Sequence, residues 1–319
     1  MNRNFFTMQR QLLGLLCATM LALTGCMSGG AADTPEIPEK LTRNGDGVPV
    51  LKVYDVDSDS VDEMDVETYV MGVVAGEMRN TWPIEALKAQ AILARTFTMK
   101  FIDTKESSYD GADISTDINE AQAYNAENIN DRIREAVNET RGMVMSANGD
   151  FPYAWFHAHS GGVTELPTKA LEYSEDPSYL SVVQSDEPDA APEEVKHWTA
   201  SFTLQQVRQA CLDAGVQVGS VTEFEIGERG ESGRAVTFLV NGHEVSAPAF
   251  RLQIGASDLK STLIDSIEMT DDGITFTGSG FGHGVGMSQW GAYGMAENGA
   301  NAEEIIQHYY TGIDLVELW

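Results

Sequence analysis

The sequence predicts an α+β fold, with a helical lobe carrying Glu77 packed against a β-rich lobe. Three observations predict it. Residues 66–101 hold two successive runs with helical apolar spacing. Residues 221–245 hold short β-rich runs around Asn241-Gly242, the dipeptide of a two-residue hairpin turn. A Pro- and acid-rich stretch, 186–194, gives a candidate division of the two lobes near 185–200.

The chain has 319 residues, enough for one large domain or two modest ones, and 42% are hydrophobic, which permits an ordinary core. Its 49 acidic residues against 20 basic ones give a formal charge of −29, which argues against nucleic acid as a partner. Residues 1–25 read as an export signal: Arg3 and Arg10 precede an apolar run, 12–23, too short to span a bilayer comfortably. Leu23-Thr24-Gly25-Cys26 resembles a bacterial lipobox, which implies cleavage before Cys26 and lipidation of its sulfur. An uncleaved anchor is the rival reading. Residues 26–47, rich in Gly, Pro and acids, read as a flexible acidic tether. Of three cysteines, Cys17 leaves with the signal and Cys26 carries lipid, so Cys211 stands alone and no internal disulfide forms.

The body starts with a strand over 50–56. In 66–77, Val66, Tyr69, Val70, Val73 and Val74 form one helix face, and Glu77 is the next position on it. A carboxylate there is either drawn into the protein, where desolvation raises its pKa, or exposed on a frayed helix end. Asn80-Thr81 reads as a turn, and Pro83 suits the first position of a second helix. Its face of Ile84, Leu87, Ala91, Ala94, Thr98 and Phe101 is small and apolar, while Lys88 and Arg95 share another face. The two helices run antiparallel with Glu77 near their junction. Residues 103–120 read as a surface loop and 128–140 as a helix ended by Gly142. Asn148-Gly149-Asp150 predicts a hairpin joining strands 143–146 and 153–158. The second strand puts His157 and His159 on one face, either a metal-type pair or, for His157, a structural histidine. Residues 202–211 read as a helix with Cys211 a buried small hydrophobe. Residues 276–294 are glycine-dense but lack the Gly-Lys-Ser/Thr ending of a phosphate loop. They form either a sugar-binding loop presenting His283, Ser288, Gln289 and Trp290, or a packed turn that positions the Glu77 helix. Residues 302–310 close the chain as a helix, with Tyr309, Tyr310 and Trp319 as core.

Long motifs in fixed order now carry a resemblance. ETYVMGVVAGEM (67–78), PIEALKAQAILART (83–96), QAY (122–124), AVNETRG (136–142), FHAHSGG (156–162), FTGSGFGHGVGMSQWG (276–291) and HYYTG (308–312) resemble the SpoIID/LytB family of bacterial cell-wall proteins, over residues 48–319. SpoIID-type members imply a lytic transglycosylase. It would cleave MurNAc–GlcNAc bonds of stem-peptide-free peptidoglycan strands and leave 1,6-anhydroMurNAc ends, in sporulation or wall remodelling. LytB-type members imply instead a non-catalytic, glycan-binding activator of an N-acetylmuramoyl-L-alanine amidase.

On the first reading Glu77 is the single general acid and base, and Lys88, Arg95, His159, Ser160, His283, Ser288 and Gln289 bind substrate. Arg79, Lys88, Arg95, Lys100 and Lys105 could attract the lactyl carboxylates of stem-free muramic acid; for Lys100 and Lys105 the rival is solvated helix surface. Some family members bind zinc near the His157 motif through cysteines together with histidines. Ser160 stands where cysteine is often found, so no cofactor is expected. A metal-dependent hydrolase using His157, His159 and another histidine is the third reading. The expected partners are glycan strands, a cell-wall amidase, and the membrane through the lipid at Cys26. The expected location is the outer face of the cytoplasmic membrane.

Overall fold

The computed structural model describes residues 33–319; the expected export signal at 1–25 and the expected lipidation site Cys26 lie outside them. Over its described length, 33–47, the expected tether is packed rather than free. Leu41 is buried and Ile37 lies against the core. Strand β1 (Thr42–Arg43) pairs antiparallel with β2 (Pro49–Asp55). Ser146 Oγ donates to the Asp33 carbonyl across 2.5 Å. The acids and prolines of this stretch hid two well-spaced apolar anchors.

Strand β3 (Ser60–Asp65) completes a meander with β2 and runs into helix α1 (Val66–Glu77), whose N-cap Asp65 accepts the Thr68 N–H. Val66, Tyr69, Val70, Val73 and Val74 are all fully buried, as their spacing predicts. Pro83 is the extended residue that launches α2 (Ile84–Thr104). This helix is buried nearly all round, against α1 and the later helices of the lobe, and its alanines permit that close approach. Within the expected loop, β4 (Ile114–Ser115) joins β2 in parallel. Helix α3 (Asp131–Glu139) follows, capped by Asn130.

Strand β5 (Met143–Ser146) does not form the expected hairpin. The turn exists, with φ of 53° at Asn148 and 85° at Gly149 and a bridge between Ala147 and Asp150. Pro152 then has no N–H to continue the ladder. Strand β5 pairs instead with residues 314–317, and β6 (Phe156–His157) pairs in parallel with Met287 and Ser288.

After two short helices, α4 (Pro167–Ala170) and α5 (Glu193–Lys196), a second core begins. Strand β7 (Trp198–Thr203) alternates buried and exposed residues, so the expected helix begins only at α6 (Leu204–Asp213), behind a Thr203–Gln206 capping box. Strands β8 (Phe224–Ile226), β9 (Thr237–Val240) and β10 (His243–Ser246) form a meander whose tight turn is Asn241-Gly242. Helix α7 (Ala247–Gly255) precedes β11 (Ile264–Met269) and β12 (Gly273–Gly278), which pair in the order β11-β12-β7. Phe202, Phe224, Phe238, Phe250 and Phe276 pack edge to face at the centre of this lobe, with Cys211 buried beside them.

The chain then returns to the first lobe through β13 (Met287–Ser288), α8 (Gln289–Glu297), α9 (Ala302–Tyr309) and β14 (Asp314–Glu317). The β-rich lobe is therefore an insertion between two halves of a helical lobe, and the fold is α+β. Trp198 Nε1 donates to the Gly280 carbonyl at 2.9 Å, and Ser232 Oγ to Glu165 at 2.6 Å, so the lobes are joined where the glycine-dense segment crosses.

Candidate active site

The apolar face of α1 ends on Glu77, which is half-buried. What holds it is segment 121–125, laid across the helix. Gly72 and Gly76 make room for it: a Cβ on Gly76 would lie 2.7 Å from the Ala123 carbonyl carbon, and one on Gly72 would strike the Tyr124 ring. With that clearance Ala123 N–H donates to Glu77 Oε1 at 2.8 Å, and Gln289 Nε2 donates to Oε2 at 3.1 Å. Both bonds favour the carboxylate, yet desolvation by burial outweighs them and raises its pKa above the ordinary value. Glu77 is an acid that keeps its proton longer than a surface glutamate and has two fixed donors ready for its anion.

Glu77 opens on a cleft of about 400 Å³. Trp155, Phe156 and Phe281 give it apolar faces, and Gln122, His157, His283 and Gln289 give it polar ones. His157 Nδ1 lies 3.1 Å from the Val285 carbonyl, which only accepts, so that nitrogen carries the proton. Nε2 is then a buried acceptor without a partner among the described residues. Burial first, and then the charges of the neighbouring polar groups, hold the His157 pKa well below the ordinary value and bring that of His283 down to about 3. Both rings are neutral at physiological pH.

Of the residues expected to bind substrate, His283 and Gln289 line this cleft. Ser160 and Ser288 do not reach it. Both are fully buried, and both donate their hydroxyls to Glu187 Oε1, Ser288 across 2.8 Å. Ser160 N–H and Ser185 Oγ add two more donors to the same oxygen, at 2.8 and 3.2 Å. His159 Nε2 faces the other oxygen at 3.4 Å, so His159 too points away from the cleft. Glu187 ties the FHAHSGG and SQWG segments together. Ser288 also caps α8 by accepting the Gly291 N–H, and the next residue is Gln289. Sequence reading missed Glu187 because it lies in a Pro- and acid-rich loop, 27 and 101 positions from Ser160 and Ser288, so no local signal joins them.

Two further expectations are corrected. Arg95 is fully buried and makes a bidentate pair with Glu67 at 3.1 and 2.6 Å, where Gly142 N–H and Trp319 Nε1 also donate. It braces α1 against α2 and the C-terminus, and touches no part of the cleft. Lys88 is held by Glu85 and Glu139, at 2.7 and 2.6 Å, beside α3. Their shared helix face is a packing face. The residues present do not fit a zinc set either. His157 turns toward His283, His159 toward Glu187, and Ser160 gives a hydroxyl already bound to a carboxylate. Among the described residues no group of three or more His, Cys, Asp or Glu converges as metal ligands do.

A family model described as stage II sporulation protein (SpoIID) matches residues 54–146, and one described as a domain of unknown function matches residues 152–286. The chain is 33% identical over 331 residues to stage II sporulation protein D of Bacillus amyloliquefaciens, an alignment covering 95% of this chain and 92% of that one. It is 33% identical over 258 residues to an uncharacterized protein of Brachyspira hyodysenteriae, covering 81% of this chain and 68% of the other. With the amidase enhancer of Bacillus subtilis it shares 27% over 297 residues, 76% of this chain but 40% of the enhancer. A third of the residues kept over nearly the full length of a stage II sporulation protein D, with the family model on α1 and α2, means that this chain belongs to the SpoIID/LytB family.

Proposed function

We propose that this protein is a peptidoglycan lytic transglycosylase acting on stem-peptide-free glycan. One observation carries the reading: among the residues lining the cleft, Glu77 is the only carboxylate. Hydrolytic glycosidases commonly use two carboxyl groups, because a water must be activated or a covalent intermediate formed. A single acid suffices when the attacking group belongs to the sugar. Glu77, whose burial favours its protonated form, gives its proton to the oxygen between MurNAc C1 and the GlcNAc leaving group. The C1–O bond breaks, and the resulting carboxylate is steadied by Ala123 N–H and Gln289. It removes the proton from the MurNAc C6 hydroxyl as that oxygen closes on C1. The products are a 1,6-anhydroMurNAc end and a free GlcNAc 4-hydroxyl, with Glu77 reprotonated. Intramolecular attack carries a large effective-molarity advantage. Trp155 and Phe281 supply apolar faces for sugar rings.

A second reading is supported by the amidase enhancer among the relatives. In it the cleft grips glycan and the protein activates a cell-wall amidase without chemistry of its own. Incubating purified protein with stem-free glycan and analysing the products by mass spectrometry separates the two. Anhydro ends that vanish in Glu77→Gln support the enzyme. Silence alone, with stimulation of an added amidase, supports the activator. Lipid attachment at Cys26 would hold either protein on the outer face of the cytoplasmic membrane; among the described residues no helix is long and apolar enough to cross it.

A further inference from the structure

A second cavity, of about 290 Å³, adjoins the Glu77 cleft and shares Phe97, Ala154 and Trp155 with it. Its walls are aromatic. Tyr153 and Trp155 stack with centroids 4.8 Å apart, and Tyr173 stands edge-on to both at 5.1 Å. At its rim are Lys100, with Nζ 5.0 Å from the Tyr153 ring centroid, and Lys105, 5.8 Å from that of Phe101. Among the described residues no carboxylate lines this cavity. In a chain with 49 acidic and 20 basic residues that is a marked departure from the average surface. Neither Lys100 nor Lys105 has an acid partner within 4.0 Å among the described residues, so both ammonium groups are open to a ligand anion. Aromatic faces take the C–H face of a sugar ring, and two unpaired ammonium groups take an anion. The volume suits one ring rather than a strand.

We infer that this cavity is a subsite for a carboxylate-bearing sugar of the strand whose scissile bond lies at Glu77, with Lys100 and Lys105 binding the free carboxylate on the lactyl ether of muramic acid. The inference rests on the glycan reading of the Glu77 cleft and deepens it. When a stem peptide is attached, that carboxyl is an amide and its charge is gone. The two lysines therefore favour stripped strands over substituted ones by charge.

Calorimetric binding to the Glu77→Gln protein, with and without Lys100→Gln and Lys105→Gln, tests this. The ligands are chitotetraose, a stem-free GlcNAc–MurNAc tetrasaccharide, the same tetrasaccharide with its lactyl carboxyls converted to methylamides, and one with intact stem peptides. The expected result is an affinity for the free acid that falls about five- to tenfold in the double lysine variant and returns with Lys100→Arg and Lys105→Arg. The other three ligands are expected to bind the two proteins alike. Equal losses for all ligands, no loss for any, or a lysine-dependent gain from the stem peptide each overturns the assignment. Binding needs no turnover, so the answer is readable even if wild-type protein makes no anhydro ends. Turnover with indifferent lysines would remove this subsite alone.

Discussion

Gln289 Nε2 donates to Glu77 Oε2 across 3.1 Å, joining residues 212 positions apart. This bond spans the two halves of the helical lobe that the β-rich insertion separates. It works against the desolvation that raises the Glu77 pKa. Gln289→Ala removes the donor, so the Glu77 pKa moves further up and the alkaline limb of the kcat/KM pH profile moves to higher pH. Loss of one hydrogen bond to a charged group lowers kcat about tenfold. A pH–rate series on wild type and variant checks both effects.

Glu187 is the hub behind that bond. Its carboxylate satisfies Ser160, Ser185 and Ser288, and Ser288 starts the helix that presents Gln289. Glu187→Ala leaves buried hydroxyls unpaired and is expected to cost about 2–4 kcal/mol in urea unfolding, with Glu187→Gln costing less.

The Arg95–Glu67 pair is structural. Removing either partner strands a buried charge, and Arg95→Met or Glu67→Ala is expected to cost about 3–5 kcal/mol. Glycan affinity of the folded Arg95→Met protein, measured well below its Tm, stays at the wild-type value. A large loss of affinity at constant fold would return Arg95 to the binding surface.

The two cleft histidines give stability a pH slope. Burial lowers the pKa of His157 and His283 below the ordinary 6.5, so the unfolded chain takes up these protons first. Their contribution is complete above about pH 6.5 and shrinks as pH falls, for His283 down to about 3. Each contributes a slope of up to about 1.4 kcal/mol per pH unit. Unfolding free energies between pH 7 and 5 are expected to fall, and His283→Asn flattens the fall.

Much of this was legible locally. The apolar spacing of 66–74 specified α1 and its buried face, and Asn241-Gly242 specified a hairpin, because both signals lie within a few residues. Long-range pairing was not legible. Nothing near Met143–Ser146 says that its partner is Asp314–Glu317, and the Asn148-Gly149 turn pointed to a nearer strand that Pro152 disallows. The site shows the same division. Glu77 and Gln289 sit in motifs rich in helix and glycine signals. Ser160, Ser288 and Arg95 were misread because residue type shows what a side chain can bond, and only the fold shows that Glu187 or Glu67 already occupies it.

Glu77→Gln separates chemistry from folding. A raised folded-state pKa means that ionised Glu77 destabilises the protein as pH rises through that pKa, so the amide is expected to raise Tm at pH 8 while abolishing product. The most direct test runs the wild-type reaction on stem-free glycan in water enriched in oxygen-18. A lone acid with an internal nucleophile gives 1,6-anhydro ends with no heavy oxygen at C1. New reducing ends, formed beyond those of an enzyme-free control and carrying oxygen-18, would mean that water attacks, and would contradict the single-carboxylate mechanism.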